Sequence, residues 1–174
     1  RVGTKLVDLG NACVADKHFT EDIQTVEYRS PEVVLGAGYG PSADLWSLAC
    51  TLFELITGEY LFDPKVSKVA GRIQYSQEED LLALHQELQG PMPPEVLARA
   101  RLKKTFFHAD GRLRHISTLR HWPLQRVLVE KYKMPEGDAK DVAAFLSPML
   151  ELDPLRRPSA SAMRNHPFLS NVAV

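Results

Sequence analysis

The chain has 174 residues, 44% hydrophobic and 25% charged, which suffices for one well-packed domain and excludes a disordered or low-complexity chain. Its most apolar stretch, Leu45 to Ile56, is too short to span a membrane, and its N-terminus lacks the features of a signal peptide. The net charge is only −1, but residues 1–95 hold 15 acidic against 7 basic side chains and residues 96–174 hold 7 against 14, which indicates either complementary faces or an acidic surface for a basic partner.

The first 40 residues combine one strand pattern with a long irregular segment. Residues 1–12 are predicted to form a strand and a turn, whereas residues 13–40 show little periodicity, and a loop of this length is unusual without a function. Two cysteines, Cys13 and Cys50, are too few for a disulfide framework and fit no metal-ligand spacing. We therefore expect reduced thiols in a cytoplasmic and nuclear protein without membrane attachment.

A long helix follows this segment. Ser42 after Pro41 is a good N-cap for the run Ala43 to Thr57, and Gly58 is suited to the C′ position. Apolar residues are spread around nearly all sides of this run, so we expect a helix that is buried all round and forms the spine of the domain.

A second helix is predicted between Ser76 and Gly90. Ser76 and Glu79 form a capping-box pattern, and Gly90-Pro91 ends the helix. Asp80 and Glu87, seven residues apart, then fall on one shoulder of this helix.

The C-terminal half reads as further helices. Residues 91–122 are assigned only short helices, and longer helical stretches are predicted over 124–132, 141–152 and 159–165, with a kink at Pro148. Strand signals are scarce after the opening segment, so the fold class is mainly α.

Several short motifs occur in a fixed order along the chain. Asp8-Leu9-Gly10 at the end of the predicted strand is weak by itself, because such a pair usually marks a turn. It is followed by Thr25 to Glu32, Asp44 to Ser47, Leu152 to Pro158 and His166 to Phe168. Five such signals in one order are not expected by chance.

This order resembles the C-terminal lobe of eukaryotic protein kinases over Lys5 to Phe168. By that likeness Asp8-Leu-Gly stands for the magnesium-binding Asp-Phe-Gly, and Ser30-Pro-Glu stands for the Ala-Pro-Glu that closes the activation segment, here residues 8–32. The resemblance implies that residues 1–174 form the large lobe of the bilobal kinase-like fold, truncated at its N-terminal side. It also implies ATP and Mg²⁺ as cofactors, with Asp8 as the metal ligand and a catalytic residue.

The same resemblance assigns roles to four other residues. Thr25 matches the threonine that contacts the catalytic aspartate, and is therefore a candidate catalytic residue. Glu32 and Arg157 match a buried ion pair that fixes the end of the activation segment to the helical core. Asp44 has two open interpretations: it either caps the first turn of its helix or, as in kinases, reaches the backbone of the catalytic loop.

Within the kinases, the chain resembles the SR-protein kinases, which phosphorylate serines in arginine–serine repeats of splicing factors. The likeness rests on the leucine of the Asp-Leu-Gly motif and on the segments 8–13, 17–25, 57–62, 106–107, 115–116, 129–132 and 149–152. It implies a serine/threonine kinase that acts on arginine–serine-rich proteins and so regulates mRNA splicing. Two features depart from the family: Pro31 stands where animal members tend to carry leucine, and residues 65–76 differ in length and composition.

The family resemblance places a substrate-docking groove in residues 57–90. Glu59, Asp80 and Glu87 match acidic docking residues of that groove, and Lys131 matches the lysine of a Val-Glu-Lys-Tyr segment. Two carboxylates on one helix shoulder can bind successive arginines of an extended peptide through charge-assisted, often bidentate bonds. The alternative is that these carboxylates are simply solvated.

The activation segment contains few phosphorylatable residues, and Glu21-Asp22 already carries negative charge beside Thr20. We therefore expect this segment to be ordered without phosphorylation, as the resemblance also implies.

Three functional interpretations remain open. The sequence contains no glycine-rich loop, phosphate-gripping lysine or His-Arg-Asp motif, so we expect this chain alone to be inactive and to be part of a longer or split kinase. The alternatives are a non-catalytic module, either a pseudokinase or a truncated lobe, that captures arginine-rich segments, and a Clk-type kinase. The basic stretch Arg99 to Trp122 lacks an RNA-binding signature, so we expect no direct nucleic-acid contact. We also expect the protein to be a monomer.

Overall fold

The structure, a computed structural model, describes residues 3–170. Within this range it contains a two-stranded antiparallel sheet and eight α-helices, so the prediction of a mainly α fold is confirmed. None of these helices is long and apolar enough to cross a membrane. The elements are α1 (Pro31–Leu35), α2 (Ser42–Thr57), β1 (Ser67–Val69), β2 (Arg72–Tyr75), α3 (Gln77–Gln89), α4 (Pro94–Arg99), α5 (Lys103–Phe106), α6 (Leu124–Glu130), α7 (Glu136–Leu146) and α8 (Ala160–Arg164).

Of the strand and turn predicted over residues 1–12, the strand is wrong for its described part, whereas the turn is present. Residues 1 and 2 lie outside the described residues, residues 3–8 have no regular structure, and Leu9–Asn11 form a 3-10 turn. A strand needs a neighbour to satisfy its backbone hydrogen bonds, and between residues 3 and 170 only β1 and β2 pair in a sheet. The apolar run therefore remains exposed and without regular structure.

The bounds predicted for α2 are confirmed, but two details are wrong. The helix ends before Gly58, whose left-handed φ of 79° suits a residue without a Cβ, yet Ser42 lies inside the first turn and Pro41 occupies the N-cap position. Leu55 is 76% exposed, and Leu48 and Ile56 are also exposed, so the helix is not buried all round. It buries one face and presents the other, apolar face to solvent.

The start and end of α3 agree with the sequence signals. The Ser76 hydroxyl accepts a hydrogen bond from the backbone N–H of Glu79 at 3.2 Å, and Gly90 ends the helix with a φ of 96°. The Glu79 carboxylate does not complete the predicted capping box. It turns instead toward His115, which lies 36 residues further along the chain.

A hairpin formed by β1 and β2 precedes α3 and was not predicted. The two strands pair in antiparallel register, with Val69 opposite Arg72. Ala70 and Gly71 connect them, both with positive φ, which is the backbone twist that tight hairpins favour. Turns of this type usually have the sequence Asn-Gly or Asp-Gly. Here the first position is an alanine, so the sequence did not predict the turn.

The C-terminal helices are those expected, with shifted bounds. α6 ends two residues before the predicted position 132, and α7 begins at Glu136 rather than at residue 141. Beyond Leu146 the chain continues as a 3-10 helix, Ser147–Leu150, in which Pro148 cannot donate the hydrogen bond that an α-helix requires. Residues 91–122 contain only the short helices α4 and α5, as predicted.

The core lies between α2 and α3. Trp46 and Phe53 of α2 pack there with Phe62, Leu81 and Leu128, all of them almost completely buried. Cys50 belongs to the same core and Cys13 is exposed, and both are free thiols, as expected.

The core also contains an ionisable ring that should make stability depend on pH. His85 is fully buried between Trp46 and Phe62, with ring centroids 4.6 Å from each, and neither ring nitrogen has a hydrogen-bond partner within residues 3–170. Burial, together with the nearby positive charge of Arg157, lowers the pKa of His85 from 6.5 to about 3. Near pH 6, His85 is therefore largely protonated in the unfolded chain and neutral in the folded protein.

The contribution of His85 to stability is therefore fully present above pH 6.5 and is lost progressively as the pH falls from 6.5 toward 3. We expect the free energy of unfolding to drop by about 2 kcal/mol between pH 7 and pH 5 through His85 alone. Urea denaturation at both pH values measures this, and His85→Leu should remove that part of the dependence. The exposed His108→Asn is the matched control and should retain it. Equal pH dependence in wild type and His85→Leu would contradict the assignment.

Candidate functional site

Residues 11–44 surround a cavity of about 640 Å³, here called the loop cavity. Gln24 fixes its floor: the backbone adopts a left-handed φ of 66°, and the side-chain amide donates to the Ala43 carbonyl and the Ser47 hydroxyl, both at 2.9 Å. The amide oxygen of Gln24 accepts from the backbone N–H and the hydroxyl of Ser30. One side chain therefore ties this irregular segment to the start of α1 and to α2.

Two arginines hold the acidic pair Glu21-Asp22. Arg29 donates two hydrogen bonds to the Gln24 carbonyl and pairs with Asp22 at 3.0 Å, and Arg101 pairs with Glu21 at 2.9 Å. Each pair is partly or largely exposed, so each contributes at most about 1 kcal/mol. The contacts nevertheless attach the irregular segment to Arg29, just before α1, and to Arg101, just after α4.

Thr25 and Asp44 both line the loop cavity. Asp44 is exposed in the first turn of α2, and its carboxylate makes no hydrogen bond to another described residue, so both interpretations given above remain predictions. The structure thus brings these two predicted residues to one cavity, where the carboxylate and the hydroxyl make no side-chain hydrogen bond to the rest of residues 3–170.

Asp8 is exposed at the N-terminal end of the 3-10 turn Leu9–Asn11, with a left-handed φ of 61°. Its carboxylate lies beside Gly10, where a Cβ would approach within 3.7 Å of Oδ1, and it makes no hydrogen bond to the rest of residues 3–170. It does not line the loop cavity, although Asn11, Ala12 and Cys13 do. No cluster of three or more metal-ligating side chains is present in the described part of the chain.

The single carboxylate of Asp8 is compatible with Mg²⁺ but not with a metal held entirely by protein side chains. Mg²⁺ is usually held by only one or two carboxylates, together with waters and substrate phosphates, so a single accessible carboxylate at Asp8 is compatible with it. A structural metal held entirely by protein side chains would need a richer set of ligands.

Glu32 and Arg157 form a bidentate ion pair with both side chains completely buried. The Arg157 nitrogens lie 2.8 and 3.0 Å from the two Glu32 oxygens, and they also donate to the backbone carbonyls of Ser42 and Glu151. The guanidinium additionally lies 5.2 Å from the ring centre of Trp46. One cation thus joins α1, the start of α2 and the C-terminal segment.

A second concave region lies between α2 and α3 and consists of two adjoining cavities of about 480 and 280 Å³, here called the α2–α3 groove. Both cavities are lined by Tyr60, Asp63 and Lys131. The first adds Glu54, Gly58 and Glu59, and the second adds Phe53, Leu61, Phe62, Leu84, Glu87, Leu88, Trp122, Val127 and Tyr132. The groove therefore combines an apolar floor with an acidic rim around one lysine.

Glu59 and Lys131, 72 residues apart, meet at this rim. Glu59 Oε2 accepts from Lys131 Nζ at 2.8 Å and from the Tyr132 hydroxyl at 3.1 Å. These hydrogen bonds lower the pKa of Glu59 and raise that of Lys131. Both groups are therefore charged near neutral pH.

Asp80 and Glu87 each hold one backbone amide. Asp80 Oδ2 accepts from Lys65 N at 2.7 Å, and Glu87 Oε1 accepts from Arg120 N at 2.8 Å. The second oxygen of each carboxylate makes no hydrogen bond to another described residue, so it remains available to a ligand. Glu87 lines the groove, whereas Asp80 lies outside its lining.

Two groove residues were missed by the sequence analysis. Glu54 accepts a 2.5 Å hydrogen bond from the Tyr28 hydroxyl, which raises the pKa of Tyr28 and links the irregular segment to the groove. Trp122 belongs to the basic stretch Arg99 to Trp122, donates its ring N–H to Glu130 and lines the groove. The only sequence feature that could have indicated this position is a tryptophan among basic residues.

Comparison with known proteins identifies the family. Residues 2–169 match the protein kinase domain. The chain is 49% identical over 167 residues to Serine/threonine-protein kinase SKY1 of Saccharomyces cerevisiae, covering 96% of this chain and 22% of that protein. It is 48% identical over 170 residues to SRSF protein kinase 3 of Homo sapiens, covering 98% and 29%, and 45% identical over 173 residues to Protein kinase dsk1 of Schizosaccharomyces pombe, covering 99% and 31%.

The chain thus spans less than a third of the length of each of these relatives. They include SR-protein kinases, so the resemblance predicted from the sequence is confirmed. The chain belongs to the protein kinase domain family.

Proposed function

We propose that the protein is a serine/threonine kinase that transfers the γ-phosphoryl group of ATP to serines of arginine–serine-rich proteins. In this proposal residues 1–174 form the C-terminal lobe, with the activation segment at 8–32 and the docking region at 57–90. The observation that carries it is the α2–α3 groove, whose rim places Glu59, Glu87 and Lys131 around one concave surface. The name of SRSF protein kinase 3 supports the same substrate class.

The chain's own residues suggest a division of labour. Asp8 would hold Mg²⁺, which when bound neutralises charge on the ATP phosphates. Thr25 and Asp44, on the loop cavity, would position the catalytic loop by hydrogen bonds from its backbone and side chains. Glu32 and Arg157 would keep the end of the activation segment on the helical core.

The activation segment would need no phosphorylation in this proposal. Gln24 ties it to α1 and α2, and Arg29 and Arg101 already pair with the acidic residues Asp22 and Glu21. A segment with these contacts can be ordered before any phosphate is added.

The groove also suits arginine better than lysine. A guanidinium can form parallel hydrogen bonds to a carboxylate, and its planar face can stack on an aromatic ring such as Tyr60 or Trp122, whereas an ammonium group acts as a point charge. We also propose that the protein is a monomer and that it is located in the cytoplasm and the nucleus.

The experiment that tests this function is phosphoryl transfer by the full-length protein from radiolabelled ATP and Mg²⁺. We expect labelling of an arginine–serine peptide and, at equal concentration, at least about tenfold less labelling of a proline-directed serine peptide. Labelling of only the second peptide would overturn the substrate class. Binding of the first peptide without any labelling would favour the alternative, a non-catalytic module that captures arginine-rich segments.

A further inference from the structure

A stretch of chain without regular structure reaches the α2–α3 groove at its C-terminal end. Residues 116–122, here called the wall segment, lie between His115 and Pro123, just before α6. Its last residue, Trp122, lines the groove beside Glu87. A segment of this kind has no helix or sheet hydrogen bonds to hold it, so its position depends on contacts from elsewhere.

The C-terminal end of the wall segment is held by Glu87. Glu87 accepts the backbone N–H of Arg120 through its carboxylate at 2.8 Å, and its backbone carbonyl accepts the N–H of Trp122 at 2.7 Å. The His121 ring lies 3.1 Å from the same carbonyl. Because Glu87 binds the amides of Arg120 and Trp122, Trp122 is the residue of the wall segment that lines the groove.

The N-terminal end is held by a buried carboxylate one helix turn from the start of α3. Glu79 is 2% exposed, and both of its oxygens contact His115: Oε1 accepts the backbone N–H at 2.7 Å, and Oε2 lies 2.6 Å from ring Nδ1. Among the described residues these are the contacts that its carboxylate makes. The imidazole side chain itself is about half exposed.

Glu79 and Glu87 lie eight residues apart on α3, about 12 Å along the helix axis. The chain from His115 to Trp122 therefore runs along α3 and is attached near both ends to glutamates of that single helix. Ile116 packs partly against the core just after the first attachment. Because no helix or sheet hydrogen bonds hold the six residues between the two attachments, their register along α3 depends on where these two ends are held.

We infer that Glu79 and His115 are positioning residues that set the register of the wall segment and thereby place Trp122 and the Glu87 carboxylate for peptide docking. Neither residue lines the groove, so each acts through the wall segment and not by contact with a peptide. The inference rests on the proposed docking function of the groove, and it adds a determinant of substrate affinity outside the groove.

Hydrogen exchange measured by mass spectrometry on the full-length protein tests the positioning directly. His115→Ala removes the ring contact but keeps the backbone N–H that Glu79 accepts. We expect at least about tenfold faster exchange at the amides of Arg120 and Trp122. Arg112→Ala, which breaks the exposed Asp110–Arg112 pair in the preceding turn, is the matched control and should leave both amides unchanged.

Kinetics separate positioning from a purely structural role. With an arginine–serine peptide, His115→Ala should raise KM by about three- to tenfold and leave kcat within about twofold, because the groove and not the chemical step is altered. Glu79→Gln should retain most of the wild-type KM, since its amide oxygen can accept the backbone N–H and its amide nitrogen can donate to ring Nδ1. Glu79→Ala should not, and its unfolding curve shows whether it is still folded.

The outcomes distinguish this inference from the proposed function. Faster exchange confined to residue 115, or an unchanged KM for both His115→Ala and a folded Glu79→Ala, would overturn the positioning role. A wild-type protein that fails to bind the peptide, while exchange at Arg120 and Trp122 still responds to His115→Ala, would overturn the docking function alone.

Discussion

Arg157→Ala should lower the free energy of unfolding by about 3–5 kcal/mol, because it leaves the Glu32 carboxylate completely buried without a partner. The change also removes the donors for the Ser42 and Glu151 carbonyls, so three parts of the chain lose their common attachment. Urea denaturation followed by circular dichroism measures the loss. The matched control is Arg156→Ala. The Arg156 side chain is 70% exposed and forms only a long, 3.7 Å ion pair with Glu151, so its removal should change the free energy of unfolding by less than about 1 kcal/mol.

A second variant distinguishes a broken pair from a lost cation. Replacing both partners by apolar residues, Glu32→Leu with Arg157→Met, removes the unpaired charge and should be less destabilising than Arg157→Ala alone. If Arg157→Ala were as stable as Arg156→Ala, the buried pair would not be holding the end of the activation segment.

The long helices could be predicted because their signals are local. α2 and α3 carry an apolar repeat at helical spacing and end at Gly58 and Gly90, and both ends were found within a residue. The Ser76 cap was found for the same reason. These signals depend only on neighbours a few residues away, so no knowledge of the fold was needed.

Features that depend on distant partners were predicted less well. The apolar run at residues 3–8 has strand composition but lacks a pairing strand within residues 3–170. The Leu48–Leu55 face of α2 has the composition of a buried helix, yet burial depends on what packs against it. The register of Glu79 against His115 likewise depends on how residues 91–122 cross the helix, which their irregular sequence does not reveal.

The candidate site depended on the family resemblance more than on pattern. Glu32 and Arg157 are 125 residues apart and Glu59 and Lys131 are 72 apart, so no periodicity could have paired them. The structure brings both pairs together at hydrogen-bonding distance. Trp122 was missed because its partners, Glu87 and Glu130, lie on two different helices.

The acidic shoulder of α3 gives the largest expected effect on binding. Asp80 and Glu87 each use one oxygen to hold a backbone amide, so alanine would disturb the chain as well as remove the charge. Asp80→Asn with Glu87→Gln keeps an acceptor for each amide and removes only the charges. We expect this double variant to bind an arginine–serine peptide about 10- to 100-fold more weakly at low salt.

The matched control removes two charges elsewhere. Asp138→Asn with Asp141→Asn changes exposed residues of α7, which contributes no lining to the groove, and gives the same net charge as the double variant. If affinity depended only on overall charge, both double variants would bind equally weakly. We expect the α7 variant to retain wild-type affinity within about twofold.

Isothermal titration of the arginine–serine peptide, without ATP and at about 50 mM and 500 mM salt, is the most direct test that this face binds arginine-rich chains. The account predicts that the wild type and the α7 variant bind tightly at low salt, that the Asp80→Asn, Glu87→Gln variant does not, and that the difference shrinks at high salt because screening weakens exposed charge pairs. Equal affinity of all three proteins at low salt would contradict it.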